Sequence, residues 1–245
     1  MTLRLRLADA HRRFLVLRAR DMTDATATRS AAVLTPHPDD ETIGCGATIA
    51  RKTAAGTRVL VVVAADGRNS MRRRECIAAC DRLGVPEADV RFLGLPDGGL
   101  ESCRDELVTA LSAELRDVDP AEFYLPSAID HHPDHRALSA ALDALGPDAV
   151  AGRAVYEYPV WFWSRWAWVD GGSPARQLAQ WTRRVAVHAV KVRPRTVSTR
   201  GFLDIKRTAL ECFPSQLRRP GSTEGLDPEW LKLFLGSREL FFERA

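Results

Sequence analysis

The chain has 245 residues, a net charge of +3, 27% charged and 45% hydrophobic residues. That length suits one α/β domain, and the apolar share suffices for a real core. The mild positive balance calls for no nucleic-acid partner, and no apolar run approaches the ~20 residues of a membrane span.

Residues 1–30 read as a basic, partly amphipathic N-terminal extension ahead of a single α/β domain over 31–245. It carries Arg4, Arg6, Arg12, Arg13, Arg18, Arg20 and Arg29 and closes on the polar run Thr23–Ser30. Such a segment either packs as an extra helix or stays a solvated arm. It has no uninterrupted apolar stretch, so a secretory signal is not expected. Phe14 is the lone aromatic residue among the arginines, which disfavours a nucleic-acid arm.

From Ala31 the pattern is regular. Short apolar runs at 31–34, 59–64, 90–93 and 122–125 alternate with helix-like segments at about 41–55, 71–84, 101–117 and 135–145. The Val59–Val63 run lacks polar alternation, as in a strand buried on both faces. Gly56 and Gly84 follow helical segments where a left-handed cap is common. The expected fold is therefore α/β: a Rossmann-like, largely parallel sheet flanked by helices, with the active site at the carboxyl ends of the strands. Gly44-Cys45-Gly46 lies after a helix start, so it is no phosphate loop. Past Gly152 the alternation weakens. Strands are expected at 155–159 and Val185–Val192, a tryptophan-rich stretch at 160–168, a turn at 170–172, and helices at 201–213 and 228–235. The five cysteines, Cys45, Cys76, Cys80, Cys103 and Cys212, lack CxxC spacing. They argue against a disulfide framework and for a reducing, cytoplasmic setting, with Cys76 and Cys80 packing in the core.

Two segments carry the chemistry. Pro36-His37-Pro38-Asp39-Asp40-Glu41 and Asp130-His131-His132-Pro133-Asp134-His135 each follow an apolar run and open a helix. Proline suits the first helical position. His37 and His132 then stand at strand-to-helix corners, with Asp39, Asp40, Asp134 and His135 in first turns that favour negative charge. Acids complementing a helix dipole would explain one such segment; the recurrence of histidine beside aspartate points to a metal. His37 and Asp40, three apart across a corner, can converge on one ion while Asp39 faces the open side. His135 completes a set of two histidines and a carboxylate with room for water, the pattern of catalytic zinc. Ferrous iron accepts the same donors.

These paired motifs resemble the PIG-L (LmbE-like) family of zinc-dependent N-acetylglucosaminyl deacetylases. The likeness runs from about Ala31 to Gln216. It is supported by Leu95-Pro96-Asp97-Gly98, by Arg72 through Glu75 to Leu83-Gly84, by Glu157-Tyr158-Pro159-Val160-Trp161, and by Lys206-Arg207 with Ser215-Gln216. The resemblance implies zinc on His37, Asp40 and His135, Asp39 as general base, and His132 as a protonated partner whose ring Asp134 holds. It implies sugar contacts from Arg72 and Asp97, with Arg73 and Arg74 leaving the choice of arginine open. Ala65, where many relatives have threonine, departs from the pattern and argues against copying one pathway's substrate. Zinc lowers the pKa of water from ~15.7 to about 7, so a nearby carboxylate can finish its deprotonation. An imidazolium beside the carbonyl oxygen can stabilise the oxyanion and assist the leaving amine.

The implied activity is removal of acetyl from an N-acetylglucosamine-type amino sugar or conjugate, a small-molecule partner; a homo-oligomer is compatible. Alternatives are an amidase for another N-acyl conjugate, such as a thiol or antibiotic conjugate, a non-haem Fe(II) oxygenase and a non-catalytic sugar binder. Iron oxygenases place their triads on β-barrels, whereas this chain reads as βαβ; a binder would not need Asp39 and His132. His131 is read as exposed or supporting, Asp130 as orienting a histidine or forming a turn, and His11 and His188 as structural or exposed. Trp161, Trp163, Trp166 and Trp168, with Phe162 and Arg165, form either a wall for a sugar or acyl chain or part of the core.

Overall fold

The computed structural model describes residues 2–116, 118–165, 173–217 and 225–244. Its strands are β1 Arg20–Asp21, β2 Ala31–Thr35, β3 Val59–Val63, β4 Val90–Phe92, β5 Glu122–Pro126, β6 Ala154–Tyr158, β7 Arg193–Ser198 and β8 Arg238–Glu243. Its helices are α1 Leu3–Arg18, α2 Thr23–Ala27, α3 Asp40–Ala54, α4 Ser70–Arg82, α5 Arg104–Leu115, α6 Pro133–Ala144, α7 Phe162–Arg165, α8 Pro174–Lys191, α9 Leu203–Leu210 and α10 Pro228–Leu231. The strands form one sheet in the order β1-β7-β8-β6-β5-β2-β3-β4. Every pairing is parallel except those of β8, which lies antiparallel between β6 and β7.

The central strands are apolar throughout because both faces are covered. Ala31, Val33, Val59 and Val61 pack with residues of α3, α4 and α9, while Ala32, Leu34, Leu60 and Val62 pack with residues of α5 and α6. This alternation splits the core into two apolar clusters, one on each face of the sheet.

Residues 3–30 pack and pair with later parts of the chain. α1 buries Ala8, His11 and Leu15, and β1 pairs with β7. Lys52 is buried against Glu122 at 2.7 Å and donates to the carbonyl of Thr26 at 2.6 Å, fastening α2 to α3. The strand expected at Val185–Val192 is instead the last part of α8. Trp181, Val185, His188 and Ala189 recur with helical spacing on its covered face, and the real strand, β7, begins just beyond. The helix expected at 228–235 is shorter, ending at Leu231, and the run after it is β8.

α3 breaks at Cys45, whose φ of −138° is not helical. Beside the break, Tyr158 crosses the strand ends to donate to the carbonyl of Leu34 at 2.8 Å. Its ring fills the space beside Gly44, where a Cβ would lie 2.4 Å from Cδ2. A break in a helix frees donors below it and acceptors above it. Glu239 of β8 accepts from the amides of Ala47 and Thr48, both at 2.8 Å, and Lys206 of α9 donates to the carbonyl of Ile43 at 2.8 Å. Lys206 and Glu239 pair with each other at 2.7 Å. A buried ion pair thus satisfies the backbone groups of the kink.

Candidate active site

Four loops at the carboxyl ends of β2, β3, β4 and β5 meet in one place. β2 delivers His37, Asp39 and Asp40; α4, following β3, delivers Arg72; the turn after β4 delivers Asp97; and the loop after β5 delivers Asp130, His132, Asp134 and His135. Asp40 Oδ2 stands 3.2 Å from His37 Nδ1 and 3.2 Å from His135 Nε2. The two motifs, nearly a hundred residues apart in sequence, therefore converge on a single carboxylate oxygen. His135 Nε2 is buried and makes no well-aligned hydrogen bond despite that proximity.

The far nitrogen of each histidine also meets a carboxylate. His37 Nε2 lies 3.0 Å from Asp134 and 3.2 Å from Asp97, and His135 Nδ1 lies 3.2 Å from Asp130. This is the arrangement by which proteins orient metal-ligating imidazoles. The ring nitrogens of His37, His132 and His135 can lie within 4.8 Å of one another, with Asp40 beside His37 and His135, so this cluster could hold a metal ion. His132 faces the same space, its ring centroid 4.8 Å from that of His37 and 5.1 Å from that of His135.

The charges follow from this crowding. Burial opposes a charge on His37, but Asp134, Asp40 and Asp97 overcome it and push its pKa up to about 11. Burial likewise opposes His135, and Asp40 and Asp130 push it up to about 9. Asp40 is held far below the usual carboxylate range, against its burial, by His135 and His37. In the protein alone, protons on the two imidazoles balance the acids, and a cation would take their place. Asp39 behaves oppositely: burial and the adjacent Asp40 raise its pKa well above the ordinary value.

Asp39 adopts φ 116°, a conformation L-residues rarely hold. Glu41 holds it there, accepting from the Asp39 amide at 3.0 Å and from the Thr42 hydroxyl at 2.6 Å. Glu41 is fully buried, which lifts its pKa to about 7. Its place in the motif was visible in the sequence, but nothing in the spacing shows that it braces the backbone beside it.

One expected contact is different. The carboxylate of Asp134 does not hold the ring of His132. It accepts from the amides of Gly98 at 2.7 Å and Leu100 at 3.1 Å and from His37. The physical reason is the turn after β4, which presents two backbone donors that a buried carboxylate satisfies better than a half-exposed ring would. His132 instead accepts at Nδ1 from the Asp134 amide at 3.2 Å, as the cap of α6. That bond places the proton of the neutral ring on Nε2. Burial, then His37 and His135, lower the pKa of His132, so the imidazolium expected from the sequence is disfavoured in the protein alone.

Arg72 is the arginine at the site, donating to Asp97 at 2.6 Å and to the carbonyl of Pro38 at 3.4 Å. Arg73 is engaged by buried Asp66. Asp97 is half-exposed, and His37 and then Arg72 hold its pKa down to about 2 despite partial burial. His131 is exposed, while His11 is buried and faces half-buried His188 at 5.7 Å. Trp163 is buried against Phe162, and Trp161 stacks on Trp230 with centroids 4.8 Å apart, so both serve packing. Trp166, Trp168 and the turn at 170–172 lie outside the described residues, as does the side chain of Arg165.

Sheet and site together define a Rossmann-like α/β protein with a histidine- and aspartate-lined cluster able to hold a metal at the carboxyl ends of its strands. Residues 32–145, a little under half of the chain, match the profile of the PIG-L family, described as GlcNAc-PI de-N-acetylase. It is 31% identical over 134 residues to a Bacillus cereus protein named probable N-acetyl-alpha-D-glucosaminyl L-malate deacetylase 2, covering 46% of this chain and 59% of that one. The match thus spans less than two thirds of that relative's length. An Acidothermus cellulolyticus protein named 1D-myo-inositol 2-acetamido-2-deoxy-alpha-D-glucopyranoside deacetylase is 29% identical over 246 residues, covering 79% and 81%. Among solved structures, N,N'-diacetylchitobiose deacetylase from Pyrococcus horikoshii superposes with a TM-score of 0.55 at 19% identity, covering 88% of this chain and 84% of its own. GalB, a 4-carboxy-2-hydroxymuconate hydratase from Pseudomonas putida, superposes with 0.53 at 15% identity, covering 89% and 95%. A hydratase and a deacetylase share this fold, so the reaction must be argued from the site.

Proposed function

We propose that this chain is a metal-dependent hydrolase that removes acetyl from an N-acetylglucosamine-type amino sugar or its conjugate. The observation that carries the reading is the convergence of His37 Nδ1 and His135 Nε2 on Asp40 Oδ2, with Asp39 in the same helix turn. The deacetylase names of the relatives agree with it. The donor set suits zinc, with ferrous iron the second choice. Bound there, such an ion supplies Lewis acidity toward the carbonyl and lowers the pKa of water.

The chain's own residues account for the proton movements. Asp39, with its raised pKa and no place in the donor set, takes a proton from the attacking water as its oxygen bonds to the acetyl carbon. His132 donates Nε2–H to the developing oxyanion, a role open to the neutral ring that its Nδ1 contact favours. The proton on Asp39 passes to the sugar nitrogen as the C–N bond breaks, giving acetate and free amine. Arg72, largely buried, and half-exposed Asp97, which pair with each other, address sugar hydroxyls. The free thiols of all five cysteines suit a reducing, cytoplasmic setting.

The test is amine release from a panel of N-acetylated glycosides, after metal stripping and add-back of zinc or iron. Chelation should abolish turnover and add-back restore it. Asp39→Ala should lower kcat by ~10²–10⁴-fold while bound metal, measured by elemental analysis, stays at the wild-type ratio. Turnover that survives chelation, or survives Asp39→Ala, sinks the proposal.

A further inference from the structure

Exposed apolar side chains are not scattered over this protein. Of the nine large ones among the described residues, six lie on α1 and α8: Leu3, Phe14, Leu17, Leu178, Val187 and Val190. Leu17 is 86% and Val190 80% exposed. On α1, Leu3, Phe14 and Leu17 fall within one narrow stripe at 100° per residue, about a third of a turn from the packed face of Ala8, His11 and Leu15. α1 therefore has two apolar faces, of which one meets solvent. On α8, Val187 and Val190 likewise point away from buried Ala189.

The same helices concentrate the positive charge. α1 and α8 together bear nine arginines and lysines against one acid, Asp9, a net of +8; since the whole chain is +3, the remainder is net −5. Eight of the nine are exposed, Arg12 being the partly covered one. The two helices are contiguous: His11 faces His188 at 5.7 Å, and the Arg18 guanidinium donates to the carbonyl of Ala189. Beside them, a cleft of about 760 Å³ lies between α8 and Ile129, with Arg183, Arg184, Val187 and Lys191 on its wall. Ile129 stands in the loop after β5, three residues before His132.

We propose that α1 and α8 form a docking surface for an anionic phospholipid bilayer. Protruding aliphatics ringed by arginine and lysine, on helices too polar to span, are what an interfacial contact requires: the apolar groups enter the acyl boundary and the cations meet headgroup phosphates. A second copy of this chain would set like charges against each other across a two-fold contact.

The test is co-sedimentation of the full chain with sucrose-loaded vesicles, without substrate, so that its result is independent of catalysis. Vesicles of phosphatidylcholine alone are compared with vesicles containing about 30% phosphatidylglycerol, at roughly 50 and 500 mM salt. Binding is expected on the anionic vesicles, at least ~10-fold weaker on neutral ones or at high salt. Leu17→Ser with Val190→Ser should reduce it ~10-fold while Ile205→Ser, an exposed apolar residue on α9, does not. Absence of binding to anionic vesicles, equal binding by both variants, or a concentration-dependent dimer by light scattering that the double variant abolishes, would overturn the proposal.

Discussion

Asp130 shows how much of this site lies behind its ligands. Its carboxylate touches the far nitrogen of His135 and also accepts from the amide of Val160 at 3.3 Å, which fixes the ring against the strand beyond β5. A residue that only formed a turn would leave metal binding untouched. Asp130→Ala is expected to weaken metal affinity by roughly 10–100-fold, read by competition with a chromophoric chelator. Several roles at this scale were open in the sequence because they depend on partners brought from other strands. Asp134 stands next to His132 in the chain, yet its oxygens go to Gly98, Leu100 and His37. Local spacing cannot reveal a partner that arrives from the turn after β4. The convergence of His37, Asp40 and His135 was legible because two matched strand-to-helix corners in a parallel sheet must lie at the same edge.

At the scale of elements, β2 to β5 and the helices between them follow the apolar runs closely, since strands buried on both faces read without alternation. β1 is two residues long, and β8 carries charge at both ends around a short apolar middle, so neither stands out from the sequence. α8 misled for a different reason. Its valines favour strands, but they occupy both faces of a helix that is covered on one side only. The break in α3 was also hidden, although Gly44 marks it. Gly44→Ala should destabilise the protein by ~1–3 kcal/mol in urea unfolding, because its Cβ would meet the Tyr158 ring and a packed core yields little to an added methyl. Loss of metal affinity should accompany it, since the first turn of α3 carries Asp40.

For the molecule as a whole, acid is expected to be more damaging than base to the α1 side. Burial lowers the pKa of His11 to about 4, and burial together with His11 lowers that of His188 to about 4. Both are neutral in the fold but titrate near 6.5 once unfolded. Their contribution is complete above pH 6.5, erodes as pH falls toward 4, and changes no further below it. For His11 the loss amounts to roughly 3 kcal/mol at 1.36 kcal/mol per pKa unit. Glu41, raised to about 7, works in the opposite sense, its contribution being present below 4.5 and lost as pH rises through 7. Unfolding free energy measured between pH 7 and 4 should therefore fall less steeply in His11→Gln than in the wild type.

The Lys206–Glu239 pair has a consequence for hydrogen exchange. Because Glu239 accepts from the amides of Ala47 and Thr48, those two protons cannot exchange unless β8 moves or α3 does. Among the described residues, β8 is also the strand that joins β7 and β1 to the rest of the sheet. Local openings of α3 and β8 should share one free energy, so that the Ala47 and Thr48 amides exchange at the rate of the β8 amides. In Glu239→Gln they should exchange faster than those of β3, which the pair does not touch. The helix that bears Asp40 and the strand most distant from it in sequence would then be one cooperative unit.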